Sequence, residues 1–197
     1  MNAPLYRCTV AIEAPVEAVW AYVGDSRRAA EWSVYFDHIA PLDESPAPDG
    51  AVGSLRRCYR RADRRGARWD EEVVAREPLR YRQIRTYALR GFRPVAQGLS
   101  TGAEFRVEQH YEADGPDRTR LTFATALSRP ALPAAAWVFG RFASEVVRVF
   151  ALNLENIKAA VEAQERGVPY RRPHAYEPAH VWDRPARRPT WLRRRVR

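Results

Sequence analysis

LPAAAWVFGRFASEVVRVFALNLENIKAAV, residues 132–161, decides the fold, because Leu132, Ala136, Phe139, Ala143, Val146, Phe150, Leu154, Ile157 and Val161 recur at intervals of three or four. Eight intervals cover 29 residues, which averages to the 3.6-residue period of an α-helix. The pattern predicts an amphipathic helix of about thirty residues, roughly 40 Å or more in length. A helix that long needs an equally long partner to cover its apolar face. Glu165-Arg166-Gly167 supplies a stop, with Gly167 as the C-terminal cap and Pro169 just beyond. One domain is therefore expected over 1–167. Residues 168–197, dense in Pro and Arg and without a period, read as a disordered or loosely draped tail.

The only candidate partner for the helix is the segment before it. Leu5 to Glu13 alternates loosely between Pro4 and Pro15 and reads as a first strand. Pro15 suits the first position of a helix, Glu17 suits its positive end, and Val16, Val19, Trp20 and Val23 form one apolar face. Asp25 or Ser26 can cap a second short helix that runs to about Glu31. Past Trp32 the period becomes two, with strands expected near 35–42, 52–62, 68–76, 80–88, 103–113 and 118–128. Asp49-Gly50, Arg65-Gly66, Glu77-Pro78 and Asp114-Gly115-Pro116 supply tight reversals, so successive strands form an antiparallel meander. Arg90 to Gly102, with three glycines and Pro94, reads as a mobile connection of the kind that gates sites.

Composition is that of a folded chain: 46% of the 197 residues are hydrophobic and 29% charged. No stretch approaches the roughly 18–20 apolar residues of a spanning helix, and the opening residues lack a signal pattern, so the expected address is the cytoplasm. Cys8 and Cys58 make neither a disulfide framework nor a zinc set and are expected to be small buried hydrophobes. Of the net charge of +9, +7 lies between Glu165 and Arg197, and +2 before it. That placement argues against a nucleic-acid-binding domain. It leaves the tail as the only basic feature, where Arg193, Arg194, Arg195 and Arg197 flank Trp191, Leu192 and Val196. Such a segment suits an anionic membrane surface, with RNA or DNA phosphate as the competing partner and a solvated tail as the plain alternative.

Taken in order, the strand and helix VAIEAPVEAVWAYVGD from Val10, the pair Glu31-Trp32, the strand WDEEVVAREP from Trp69, the hairpin into TRLTFATAL at Thr119 and the closing NLENIKAAVE resemble the START / Bet v 1-like superfamily. This is the group also called SRPBCC or polyketide cyclase-like. The resemblance covers Tyr6 to Gln164 and stops before the tail. It implies an α+β helix-grip fold: a curved antiparallel sheet of six to seven strands around the long C-terminal helix, two short helices after the first strand, and an apolar cavity between them. Members of the group include lipid and sterol carriers, quinone-binding proteins and polyketide aromatase/cyclases, so the fold alone fixes no function. The expectation is binding, and transport, of a small hydrophobic ligand such as a lipid, quinone, isoprenoid or polyketide. A cyclase or dehydratase is the alternative. A third reading is a regulatory module tethered through the basic tail.

Polar residues on apolar faces mark the expected cavity. Phe105, Val107, Gln109 and Tyr111 share a face of their strand, continued by Leu121, Phe123 and Thr125 on the next, and Asn153 lies in the apolar arc of the last helix near Phe150. Gln109, Tyr111 and Asn153 are the polar candidates for ligand contact, unless they merely satisfy one another or the backbone. Trp32, Tyr59, Trp69, Tyr87, Phe105, Phe123 and Phe150 are the candidate aromatic walls. The strand near 80–88 carries Arg82, Ile84 and Thr86 on one face and Tyr81, Gln83, Arg85 and Tyr87 on the other, and sequence does not orient it.

For catalysis the pattern offers little. His38, His110, His174 and His180 lie at no metal-ligand spacing, and neither a G-x-S-x-G elbow nor a glycine-rich phosphate loop occurs, so no metal and no cofactor is expected. Alternation separates Asp70 from Glu71 and puts Glu71 beside Trp69 and Val73, making it the better acid/base candidate, although a carboxylate among so many arginines is ordinarily an ion pair. Tyr111, Gln109 and Arg85 are the other side chains that a cyclase would use to move protons.

Overall fold

The computed structural model describes residues 6–91, 102–129 and 143–175. The strands are β1 (Tyr6–Ile12), β2 (His38–Pro41), β3 (Leu55–Tyr59), β4 (Arg68–Glu77), β5 (Tyr81–Arg90), β6 (Glu104–Ala113) and β7 (Thr119–Arg129). Between β1 and β2 lie α1 (Val16–Gly24), a 3₁₀ turn (Ser26–Arg28) and α2 (Ala29–Trp32), and the last described helix is α3 (Ala143–Glu165). All seven strands join one antiparallel sheet in the order β1-β7-β6-β5-β4-β3-β2. The meander runs in sequence from β2 to β7, and β1 closes on β7 with Tyr6 opposite Thr125 and Ile12 opposite Thr119. Register shifts in the β4–β5 and β6–β7 pairs bend the strands, as bulges do, so the sheet curls around α3. This is the helix-grip α+β architecture.

Local chemistry explains the element ends. Helix α1 begins one residue later than expected, with Pro15 at the N-cap, and Asp25 caps the 3₁₀ turn by accepting from the Arg27 N–H at 3.0 Å. The β4–β5 reversal has Pro78 followed by Leu79 at φ 63, closed by the Arg80 N–H on the Glu77 carbonyl at 3.1 Å. Gly167, at φ 64, ends α3 in a Schellman motif: the Val168 N–H meets the Ala163 carbonyl and the Gly167 N–H the Gln164 carbonyl.

The core lies between α3 and the concave face of the sheet. Leu154, Ile157 and Val161, three of the periodic positions, are fully buried against Ile12, Val19, Leu121 and Phe123. Each such burial contributes about 1.5–3 kcal/mol, which is why the helix and the sheet form only together. The earlier periodic positions from Leu132 to Phe139, the Arg90 to Gly102 connection beyond Gly91, and the basic cluster Arg193–Arg197 lie outside the described residues. No helix among the described residues is long and apolar enough to cross a membrane.

The segment just past the boundary expected at Gly167 contacts the domain. Residues 168–175 lie along α2 and α3, where Tyr170 Oη donates to the Glu31 carbonyl at 3.1 Å and Arg172 donates to the carbonyls of Ala30, Ser33 and His174. Asn156 joins both sides: its amide nitrogen donates to the carbonyls of Trp32 and His174, each at 2.9 Å, and its oxygen accepts from the His174 N–H. This segment straps α2 onto α3.

Candidate functional site

A cavity of about 250 Å³ lies under α3, where the curved sheet stands away from the helix. Strand alternation sets its walls. Trp69 and Glu71 come from β4, Ile84 and Thr86 from β5, Phe105, Val107 and Gln109 from β6, and Phe123 and Thr125 from β7. Val146, Val149, Phe150 and Asn153 descend from α3, while Trp32, Tyr35 and Phe36 close the side toward α2. Trp69 anchors an aromatic cluster, stacked on Tyr35 with centroids 5.5 Å apart and edge-on to Phe36, which meets Trp32 in the same way.

The structure brings Gln109, Asn153, Trp32, Trp69, Phe105, Phe123 and Phe150 to one cavity. Tyr111 is buried on the same face but one layer deeper, against Trp20 at 4.9 Å, and its hydroxyl donates to Gln109 Oε1 at 3.0 Å. Burial pushes the Tyr111 phenol up to about 12, so it stays a neutral donor at physiological pH.

Three candidates lie elsewhere. Strand β5 turns Arg82, Ile84 and Thr86 inward, which puts Arg85 and Tyr87 on the convex face, with Arg85 ion-paired to Glu72 at 2.6 Å and its guanidinium over the Tyr87 ring. Tyr59 is likewise outside, stacked on His38 at 4.8 Å. Neither tyrosine is a cavity wall, and Arg85 is not a buried cation. The reason is chemical: an exposed strand face can carry tyrosines whose rings are covered by neighbouring arginines and histidines.

Sequence pattern does not mark three buried arginines, of which Arg60, 2% exposed, lies with its guanidinium 4.4 Å over the Tyr35 ring. Arg56, 6% exposed, borders the cavity and donates through Nε to Glu71 Oε2 at 2.9 Å, with Nη2 at the same distance. Glu71 Oε1 accepts from Trp69 Nε1 at 3.0 Å, so both carboxylate oxygens are engaged. Burial works against the charge on Arg56, but Glu71, helped by Cys58 and Asp49, outweighs it and holds its pKa above the ordinary value. The available signal was Cys58: a cysteine expected to be buried carries the residue two positions before it to the same face. Arg82, 2% exposed, lies behind Gln109, donating to its Oε1 at 3.4 Å and lying 4.7 Å over the Trp20 ring. Gly24 makes room for it, since a Cβ there would meet Arg82 Nη2 at 2.9 Å. Burial, followed by the neighbouring charges of Arg56 and Arg76, lowers the Arg82 pKa.

Among the described histidines, His38 and His110 lie on the outer face beside Asp37 and Glu108, and His174 sits in the strap beside Glu155. Among the described residues no group of three His, Cys, Asp or Glu side chains is placed to hold a metal ion.

The order of strands, the grip on α3 and the cavity beneath it coincide with a family match over residues 6–162, described as polyketide cyclase / dehydrase and lipid transport. The chain belongs to this family. Among solved structures, DynU16 from the dynemicin biosynthetic locus is 23% identical at a TM-score of 0.53, covering 83% of this chain, which spans only 48% of that protein. A START superfamily protein from Mycobacterium smegmatis is 18% identical at a TM-score of 0.57, with 79% of this chain and 97% of that one covered. The Zhui aromatase/cyclase from Streptomyces sp. R1128 is 17% identical at a TM-score of 0.56, with 82% and 94% covered. Identities this low speak for the shared polyketide cyclase-like fold alone. No curated protein matches the chain.

Proposed function

We propose that this protein binds, and carries unchanged, a compact hydrophobic molecule bearing oxygen functions. The observation that supports this reading is the cavity itself: about 250 Å³, walled by Trp32, Phe36, Trp69, Phe105, Phe123 and Phe150, with a few fixed polar groups from Arg56, Glu71, Gln109 and Asn153. Binding sites for small molecules have this make-up, and the volume lies just under the ~300–1,000 Å³ usual for drug-sized ligands. A two- or three-ring quinone, isoprenoid fragment or polyketide-like compound suits it better than a two-chain lipid. Native mass spectrometry of the purified protein, followed by organic extraction, tests the reading. A co-purifying small molecule of this class supports it. Failure to take up either a native compound or the neutral fluorophore N-phenyl-1-naphthylamine sinks it.

Enzymatic cyclisation is the second reading, favoured by the Arg56–Glu71 pair on the cavity wall. There Glu71 would take a proton from the carbon beside a ketone, while Arg56 and the Gln109 amide would hold the resulting enolate oxygen. Incubation with a poly-ketone thioester decides it: loss of water in the wild type and its absence in Glu71→Gln support turnover, and unchanged substrate leaves carriage alone.

A further inference from the structure

Resting on the proposal that the cavity holds a ligand, we infer that this ligand is an anion rich in acceptor oxygens, a carboxylate or enolate on a compact ring system. The first argument is the direction of two amides. Gln109 Oε1 is taken by two donors, Tyr111 Oη at 3.0 Å and Arg82 Nη1 at 3.4 Å. Asn153 Oδ1 is taken by the Val34 N–H at 2.8 Å. An arginine and a backbone N–H can only donate, so neither amide can flip without setting donor against donor. Both side chains are more than nine-tenths buried and both border the cavity, so their NH₂ groups are held as donors available to its contents.

The rest of the wall repeats the pattern. Trp32 Nε1 is buried without an acceptor among the described residues. Glu71, the buried carboxylate of the wall, has both oxygens engaged by Trp69 and Arg56. Thr125 gives its proton to the Arg106 carbonyl, and Asp25, nearer the surface, is held by Arg27. Thr86, Thr125 and Ser26, whose own proton goes to Asp49, keep oxygen lone pairs that a ligand hydroxyl could use. A ligand offering several acceptors satisfies this wall. One offering mainly donors leaves the amides unpaired, and each unpaired buried group is costly.

The second argument is charge. Arg56 and Arg82 are both buried, and Glu71 is the one buried carboxylate beside them; Asp49, the next carboxylate, is exposed and accepts from the Ser26 hydroxyl. Arg82 Nε has no acceptor among the described residues, and Arg76 shares the Trp20 ring with it rather than relieving it. The cluster is one negative charge short, and Gln109 is the link between Arg82 and the cavity. Arg82 is thus a positioning residue: it fixes the amide and adds a field that favours negative charge beyond it.

The test uses the full chain and N-phenyl-1-naphthylamine as a neutral reporter, displaced by competitors that share one ring system: 2-naphthoate, naphthalene and 2-naphthylmethylammonium. The expected result is that 2-naphthoate displaces the reporter at a concentration about tenfold or more below naphthalene, with the ammonium weakest. In Arg82→Met and in Gln109→Glu the ratio of naphthoate to naphthalene affinity should fall toward one. The glutamate variant places a carboxylate between Arg82 and Tyr111, so it removes the charge deficit and the donor without emptying the space. Because the readout is a ratio within one protein, a general loss of fit does not imitate it. Equal affinities for naphthoate and naphthalene in the wild type, or preference for the ammonium, overturn the inference and leave the cavity reading intact. No uptake of the neutral reporter by the folded wild type removes the cavity reading, and the inference with it.

Discussion

The two faces of the sheet use the same residue types to opposite ends. On the convex face, Arg57 pairs with Asp70 and Arg85 with Glu72, and Arg120 reaches Glu112 at 3.3 Å. On the concave face, one residue away along the chain, Arg56 pairs with Glu71 at 2.9 Å. The distances are similar, and the surroundings differ: the Arg85 and Glu72 side chains are 45% and 26% exposed, those of Arg56 and Glu71 only 7% and 12%. In water-facing positions such pairs contribute about 0–1 kcal/mol, while inside the protein the loss of one partner strands the other. Convex pairs keep the face soluble, and the concave pair makes a demand on whatever occupies the cavity.

The comparison can be broken most directly at Glu71. Replacing Glu71→Leu leaves Arg56 uncompensated and should cost about 3–5 kcal/mol in urea unfolding; a loss under 1 kcal/mol would show that solvent reaches Arg56 and erase the distinction between the faces. The double variant Arg56→Met, Glu71→Leu should recover most of that loss, to within about 1–2 kcal/mol of wild type, because the buried charge leaves with its partner. It should also keep the preference for 2-naphthoate, because the pair leaves without net charge while Arg82 and the Gln109 amide stay in place.

Glu162 supplies an intermediate case at the end of α3, where it accepts from the Glu13 N–H at 3.0 Å and from Lys158. Burial alone would raise its pKa, but these donors, with Arg166, hold it below the ordinary carboxylate value. A depressed folded pKa means that its stabilising effect is complete above the unfolded value of about 4.3 and is lost as pH falls through the folded value. Glu162→Gln should therefore be about 1–2 kcal/mol less stable than wild type at pH 7, with the gap closing in acid. A gap that stays constant from pH 7 to pH 3 would mean that the carboxylate charge contributes nothing. The smallest effect belongs to the convex face, where Glu72→Gln should change stability by less than about 0.5 kcal/mol, and 1 M salt should remove even that.

The same contrast explains what the sequence disclosed. The β1-α1 opening, the turns and the period of α3 were legible because each rests on local chemistry or on a run of apolar residues at one spacing. Gln109 and Asn153 were legible because a polar residue interrupted an otherwise apolar face. Strands β3 and β5 defeated the same logic, since LRRCYR and YRQIRTY place arginine on both faces, and alternation does not say which arginine goes inside. Arg82 is inside because Gly24 leaves room and Trp20 covers it, and both lie some sixty residues earlier in the chain. The strap left no trace for a different reason: Arg172 and Asn156 bind main-chain carbonyls, which every residue possesses, so no complementary side chain marks the contact.

The closure of β1 on β7 also has a consequence for how the protein is made. Thr9 and Thr122, 113 positions apart in the chain, meet across the sheet, and Cys8 pairs with Phe123. At a synthesis rate of about 5–20 residues per second, β1 waits on the order of ten seconds for its partner. Throughout that interval its apolar face and both its edges are open, and the meander that emerges meanwhile has no α3 to wrap. Long-range pairing of this kind folds slowly and exposes strands to wrong partners. Soluble yield in a heterologous host should therefore respond more to added chaperone than to stabilising the finished fold.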